Sequence, residues 1–222
     1  MMVKEDIPTG NIQQRNVAMN RLLFNQVVSY PRSPLIVVLL MVNCAASSYA
    51  ANYVIDPART NVRFTIDYFK NATNTGGVYN VIGQLQYDPR AKIGNISLVI
   101  PISSLSTGNK KFDLKLTSSK FFDMEQFPLA YFKSTKWYFT NDQASPQVTQ
   151  VDGKLTLHGE THPVTLTATK FNCYLSPIVK KSVCGGDFIT TIDRTKWNIN
   201  KYTLLGITKN LTLNIQVEAA KL

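Results

Sequence analysis

Val62-Arg63-Phe64-Thr65-Ile66-Asp67-Tyr68 alternates apolar and polar side chains without a break. Successive side chains of a strand point to opposite faces, so this stretch builds one apolar face and one wet face; a helix would scatter the same residues around its circumference. The pattern spreads outward from there. Gly83-Gln84-Leu85-Gln86-Tyr87 repeats it and ends in Asp88-Pro89-Arg90, which is turn chemistry. Ile96, Leu98, Ile100 and Ile102 make a third apolar face, and alternating runs follow at 130–139, 150–157, 164–171, 188–192 and 211–217, with Gly, Asn, Asp and Pro between them. About eight strands in one uninterrupted domain predict an all-β, mostly antiparallel fold. A sheet of that size curls shut or splits into a sandwich, because an open edge offers unpaired backbone groups to other chains. The expectation is an antiparallel eight-stranded barrel, whose interior is just wide enough for side chains or one narrow ligand.

One segment breaks the period. Ser106-Thr107-Gly108-Asn109-Lys110-Lys111-Phe112-Asp113-Leu114-Lys115-Leu116 opens with a Gly-Asn turn, then sets apolar residues at 112, 114, 116, 121 and 122. It reads as a turn, a short helical segment within 112–122 and an extended stretch, lying across one barrel mouth. The Gly76-Gly77 and Gly185-Gly186 pairs read as turns. Trp137 falls out of phase with Phe132, so it faces outward or marks a bulge.

The first fifty residues are of another kind. Leu35 to Val42 is an uninterrupted apolar run, followed by small residues and then Ser48-Tyr49-Ala50. A membrane-crossing helix needs ~20 apolar residues; this shorter run suits a secretory signal cleaved after Ala50. Residues 1–50 are thus expected to be an N-terminal extension and cleavable signal peptide, and 51–222 the exported, periplasmic domain, with Met19 an alternative start to Met1. A lipidated Cys44, which Asn43 suits poorly, and an uncleaved anchor are the alternatives. The extension holds four basic residues (Lys4, Arg15, Arg21, Arg32) and two acidic ones, so the net charge of +10 becomes +8 on cleavage. Such an excess favours anionic head groups or membrane surfaces, and is also an ordinary means of solubility. The longest basic clusters, Lys110-Lys111 and Lys180-Lys181, are too short for a nucleic-acid footprint, so no nucleic-acid partner is expected.

Cys173 and Cys184 remain beyond the extension. In an oxidising compartment a close, even pair is read first as a disulfide; a metal site is the weaker reading, since no His lies near either cysteine. His158-Gly159-Glu160-Thr161-His162 lacks the helical His-Glu-x-x-His order, and Gly159 and Pro163 make it a hairpin turn. No Gly-x-Ser-x-Gly elbow occurs, and two His leave little from which to assemble a nucleophile and base. An enzyme is not expected; a hydrolase using His158 or His162 is the distant alternative. Neither catalytic nor metal-binding residues are assigned.

Several blocks together resemble the YceI-like, polyisoprenoid-binding family of bacterial periplasmic proteins. They are Tyr53-Val54-Ile55-Asp56-Pro57-Ala58-Arg59-Thr60, Ser104-Leu105-Ser106-Thr107-Gly108-Asn109, Phe121-Phe122-Asp123 with Phe127-Pro128, Phe132-Lys133-Ser134-Thr135, Gly153-Lys154-Leu155-Thr156-Leu157-His158-Gly159 with Pro163-Val164-Thr165-Leu166, and Ile192-Asp193-Arg194. They run in the family's order from about residue 53 to 218. The resemblance implies an extended lipocalin-like barrel enclosing a long isoprenoid tail, and Cys184-Gly185-Gly186-Asp187 resembles the Cys-bridged loop of a family subset. Two positions depart from the pattern: Arg59 stands where members commonly carry His, and Thr208-Lys209-Asn210 replaces acidic residues before the last strand. Both add positive character, which puts the head-group chemistry in doubt more than tail binding.

On this reading the apolar lining comprises Phe64, Ile66, Tyr68, Leu98, Ile100, Phe112, Leu116, Phe121, Phe132, Leu155, Leu166 and Phe188, although each is equally a plain core residue. Arg59, Asn109, Lys110 and Lys133 are the head-group candidates, because a pyrophosphate or quinone carbonyl wants donors. The expected function is binding of a ubiquinone- or polyprenyl-phosphate-type lipid for storage or transport in the periplasm. No cofactor is required beyond a bound isoprenoid lipid or isoprenoid quinone. Contact with a membrane surface or a membrane redox protein, and pairing into a homodimer through a barrel edge, are further expectations. The rival is a secreted interaction or stress-response protein whose barrel is filled by its own side chains beneath a basic surface.

Overall fold

A computed structural model describes residues 50–222; the apolar run, Met19 and Cys44 lie outside the described residues. The chain forms strands β1 (Ala51–Ile55), β2 (Asn61–Tyr68), β3 (Ala72–Val78), β4 (Ile82–Asp88), β5 (Ile93–Pro101) and β6 (Leu105–Ser106), then helix α1 (Lys110–Thr117), then β7 (Leu129–Phe139), β8 (Val148–Leu157), β9 (Glu160–Leu175), β10 (Ser182–Asp193) and β11 (Asn210–Lys221). The strands run β1-β4-β5-β7-β8-β9-β10-β11, all antiparallel, and the ring closes where β11 pairs β1, Tyr53 opposite Lys221 and Ile55 opposite Ala219. The expected eight-stranded antiparallel barrel with one short helix is what the chain forms.

Three strands lie outside that ring. β2, β3 and β6 extend from β11, whose Thr212–Gln216 stretch pairs β2 before its end pairs β1. β1 and β2 are separated by a bend at Asp56-Pro57. The Asp56 carboxylate accepts from the Ala58 N–H at 2.9 Å, and buried Thr60 donates its hydroxyl to the Glu218 carbonyl and accepts from the Glu218 N–H. Those bonds carry the β1/β2 edge of β11 across the gap between its two partners, while β10 pairs its other edge throughout.

The glycine pairs are not turns. Gly76-Gly77 lie within β3 and Gly185-Gly186 within β10. They serve close approach: a Cβ on Gly76 would stand 2.5 Å from the Phe64 ring, and one on Gly186 2.2 Å from the Lys170 carbonyl oxygen. His158 (φ 50°) and Gly159 (φ 79°) form the tight turn between β8 and β9, as their sequence implies. α1 starts two residues before the 112–122 pattern and ends at Thr117; it starts there because Asn109 caps it, its side-chain oxygen accepting from the N–H groups of Lys111 and Phe112.

The ends of the barrel differ. One carries the β5–β7 connection with α1, the β8–β9 turn and the chain from β10 to β11; we call it the helical end. The other carries the β4–β5, β7–β8 and β9–β10 hairpins and is the hairpin end. Near the latter, Cys173 and Cys184 face each other in register across β9 and β10 and form a disulfide.

Candidate functional site

Alternation turns the apolar side of every ring strand inward, where the side chains meet in one contiguous cluster. Of the lining set, Phe64, Leu98, Ile100, Phe132, Leu155, Leu166 and Phe188 are buried there; Leu116 and Phe121, near the helical end, are also buried, and Ile66 and Phe112 are half-buried against the cluster. Tyr68 does not belong to the lining. It is 41 % exposed, because β2 overruns the barrel and the chain reverses at once through Phe69 and Lys70, both at positive φ. Tyr68 instead stacks edge-on with Phe69, ring centroids 4.5 Å apart.

Trp137 is the inward residue that strict alternation misplaces. The β7–β8 register shifts between Ser134 and Lys136, leaving Thr135 as an extra residue. Beyond this bulge the phase reverses and Trp137 turns inward, 8 % exposed. Its ring lies over Gly94 of β5, where a Cβ would sit 2.2 Å away, and beside Tyr87 and Phe171 at 5.9 and 5.8 Å. Burial, with smaller contributions from Tyr53 and Asp88, pushes the Tyr87 phenol up to about 12, so it stays neutral and able to donate.

Beside the helical end a cavity of about 680 Å³ opens between β2, β3 and the 106–108 chain. Phe64 and Gly76 form its apolar wall; Thr65, Thr75, Ser106, Thr107, Asn214 and Arg63 supply polar groups. Its rim is braced by Asp113 of α1, whose carboxylate accepts from the Thr107 N–H at 2.7 Å and hydroxyl at 2.6 Å. Asn109 and Lys110 follow this rim in sequence, so two of the head-group candidates stand beside the cavity. The other two do not line it. Arg59 is ion-paired with Glu218 at 2.9 Å across the β1–β2 bend. Lys133 is exposed on the outer wall, opposite Lys154 in register, since Phe132 takes the inward position. Arg63 is the cation that sequence reasoning passed over: its place in the alternation is outward, yet at the rim outward means into the cavity, and it has no ion pair among the described residues.

His158 Nδ1 lies 3.1 Å from the Trp197 carbonyl oxygen, and the His162 ring meets the Trp197 ring edge-on at 5.0 Å; the Nε2 of each is buried without a hydrogen-bond partner among the described residues.

A model of the YceI-like domain matches residues 53–219, which is essentially the barrel. The chain belongs to the YceI-like family. It is 29 % identical to a UPF0312 protein of Pseudomonas putida over 183 residues, 80 % of this chain and 90 % of the relative. A UPF0312 protein of Vibrio cholerae is 32 % identical over 123 residues, 54 % of this chain, and the chain spans only about three-fifths (62 %) of that relative. Among solved structures, BcnA of Burkholderia cenocepacia superposes with a TM-score of 0.59 at 20 % identity, covering 74 % of this chain and 98 % of BcnA. A polyisoprenoid binding domain from Saccharophagus degradans superposes with a TM-score of 0.57 at 12 % identity, covering 78 % and 99 %. At such identities the likeness concerns the fold alone.

Proposed function

We propose that the chain binds one long-chain isoprenoid lipid, of ubiquinone or polyprenyl phosphate type, inside the barrel, and stores or carries it in the periplasm after export. The observation that carries this reading is the continuous inward apolar face of the closed barrel beside a cavity with an apolar Phe64 wall and an unpaired cation, Arg63, at its rim. Burying an isoprenoid there gains ~25 cal/mol per Å² of apolar surface removed from water. The polyisoprenoid binding domain among the structural neighbours supports the same class of guest. Exchange with a membrane takes place at the helical end, where Phe69 is 45 % and Leu204 99 % exposed and Lys70 and Lys201 stand nearby in sequence, an apolar and basic combination suited to an anionic surface.

The interior side chains meet as one cluster, which favours the rival reading of a side-chain-filled barrel with a basic interaction surface. Native mass spectrometry and organic extraction of the protein, purified without detergent, decide between them. A stoichiometric isoprenoid that is lost in Phe64→Glu and Phe132→Glu variants of unchanged circular dichroism establishes binding. A barrel consistently empty, and refusing added ubiquinone and polyprenyl phosphate, leaves the interaction protein.

A further inference from the structure

Trp137 Nε1 is buried and finds no hydrogen-bond acceptor among the described residues. The chain has a second tryptophan, Trp197, and there the same group is used: its Nε1–H donates to the Leu155 carbonyl at 3.1 Å. An indole is usually placed so that its N–H meets a partner, and a buried donor left alone costs stability. Nothing in folding compels the cost. A phenylalanine at 137 would keep a ring over Gly94 with no donor to satisfy, giving up only the packing of the larger indole.

The chain nonetheless builds this position with care. The extra residue Thr135 re-aims the side chain, and Ser134 holds the bulge by accepting from the buried Ile96 N–H at 2.9 Å. Bulges that redirect a side chain are over-represented beside binding and active sites. Around the ring stand Tyr87, Phe171 and Gly94, none of them charged, so an anionic oxygen arriving here would meet no counter-charge, whereas a neutral one would only gain a donor. Arg63, a cation without an ion pair among the described residues, is elsewhere, at the cavity.

We propose that the Trp137 indole N–H seats a neutral oxygen acceptor, a carbonyl or an ether or hydroxyl oxygen, on the molecule held in the barrel. Resting on the lipid-binding reading, this sharpens it: a guest with a neutral oxygenated head enters head first toward the hairpin end, with its tail toward the helical end. A phosphate head would stay at Arg63 and leave Trp137 unpaired.

The test compares a short-chain ubiquinone with squalene, an isoprenoid that carries no oxygen, on the purified full domain. Two indole N–H signals are expected in a nitrogen-15 spectrum. On adding the quinone, the Trp137 signal moves downfield while that of Trp197, already bonded, stays; squalene produces no downfield shift. Trp137→Phe weakens quinone binding about five- to tenfold more than it weakens squalene binding, the excess being the worth of one hydrogen bond. Equal weakening for both guests, or no weakening for either, overturns the proposal, because the N–H would then be serving the fold, for instance against the face of Phe171. Failure of the unaltered protein to bind either molecule sinks the lipid-binding reading itself, a result distinct from loss of discrimination.

Discussion

The helical end of the barrel is closed by hydrogen bonds and the hairpin end by apolar surface and a covalent bond. At the helical end the buried Arg194 guanidinium gives Nε to the Thr208 carbonyl at 3.0 Å, one terminal nitrogen to Ile199 and the other to Lys201 at 3.1 Å, lacing the β10–β11 connection together, while Trp197 is tied to Leu155. At the hairpin end Tyr87, Trp137, Phe139 and Phe171 pack ring on ring, the disulfide staples β9 to β10, and a donor is left over. The two tryptophans carry the contrast: Trp197 gives its indole N–H to the chain itself, whereas Trp137 keeps its own inside an aromatic shell, where there is room for an acceptor the chain does not own.

The largest effect expected from breaking this contrast is at Arg194. Arg194→Ala strips several buried carbonyls of a charged donor and should cost ~3 kcal/mol or more in a urea titration. Burial holds the guanidinium below its usual range, with Asp193 opposing. A cost under ~1 kcal/mol would mean that the helical end is not held by hydrogen bonds. Next is the disulfide. Its cysteines are 11 residues apart, so removing both as serines should cost ~2–3 kcal/mol on loop-closure grounds and leave the far end intact. Third is Trp197→Phe, which loses the same packing as Trp137→Phe and also takes this donor from the Leu155 carbonyl, so it should cost ~1–2 kcal/mol more than Trp137→Phe in the empty protein. Equal costs at the two tryptophans would erase the distinction between the ends.

These differences were unequally legible. Period two over a half-buried surface has few competing readings, so seven of the eight alternating runs are ring strands and closure follows from edge avoidance; the eighth, 62–68, is β2 outside the ring, and the short β1 takes its place. β3 was hidden: Ala-Thr-Asn-Thr-Gly-Gly-Val is poor in strand formers and is a strand because β2 pairs it from Val78 to Ala72. Trp137 required knowing that Thr135 is skipped, and neither Gly nor Pro marks that bulge. Arg63 required knowing that the 106–108 chain folds beside its outward face, a contact between residues far apart in sequence that no local period encodes.

The smallest effect lies on the outer wall near Trp137. Asp152 accepts from the hydroxyls of Thr165 and Tyr138, both at 2.8 Å, and from the Gln150 amide at 2.9 Å. Those bonds, Thr165's foremost, hold its carboxyl below the ordinary value of 3.8 despite partial desolvation. A carboxylate whose folded pKa is depressed contributes stability above its unfolded pKa and loses it as the pH falls through the folded one. Thr165→Val should therefore lower the urea midpoint slightly at pH 7, by a few tenths of a kcal/mol for so exposed a group, and the difference should shrink toward zero once the carboxyl is protonated in both states. If the difference persisted undiminished in acid, the valine would be acting through strand packing between β8 and β9. The hairpin-end wall would then owe nothing to this carboxylate, and its stability would rest on its rings and disulfide alone.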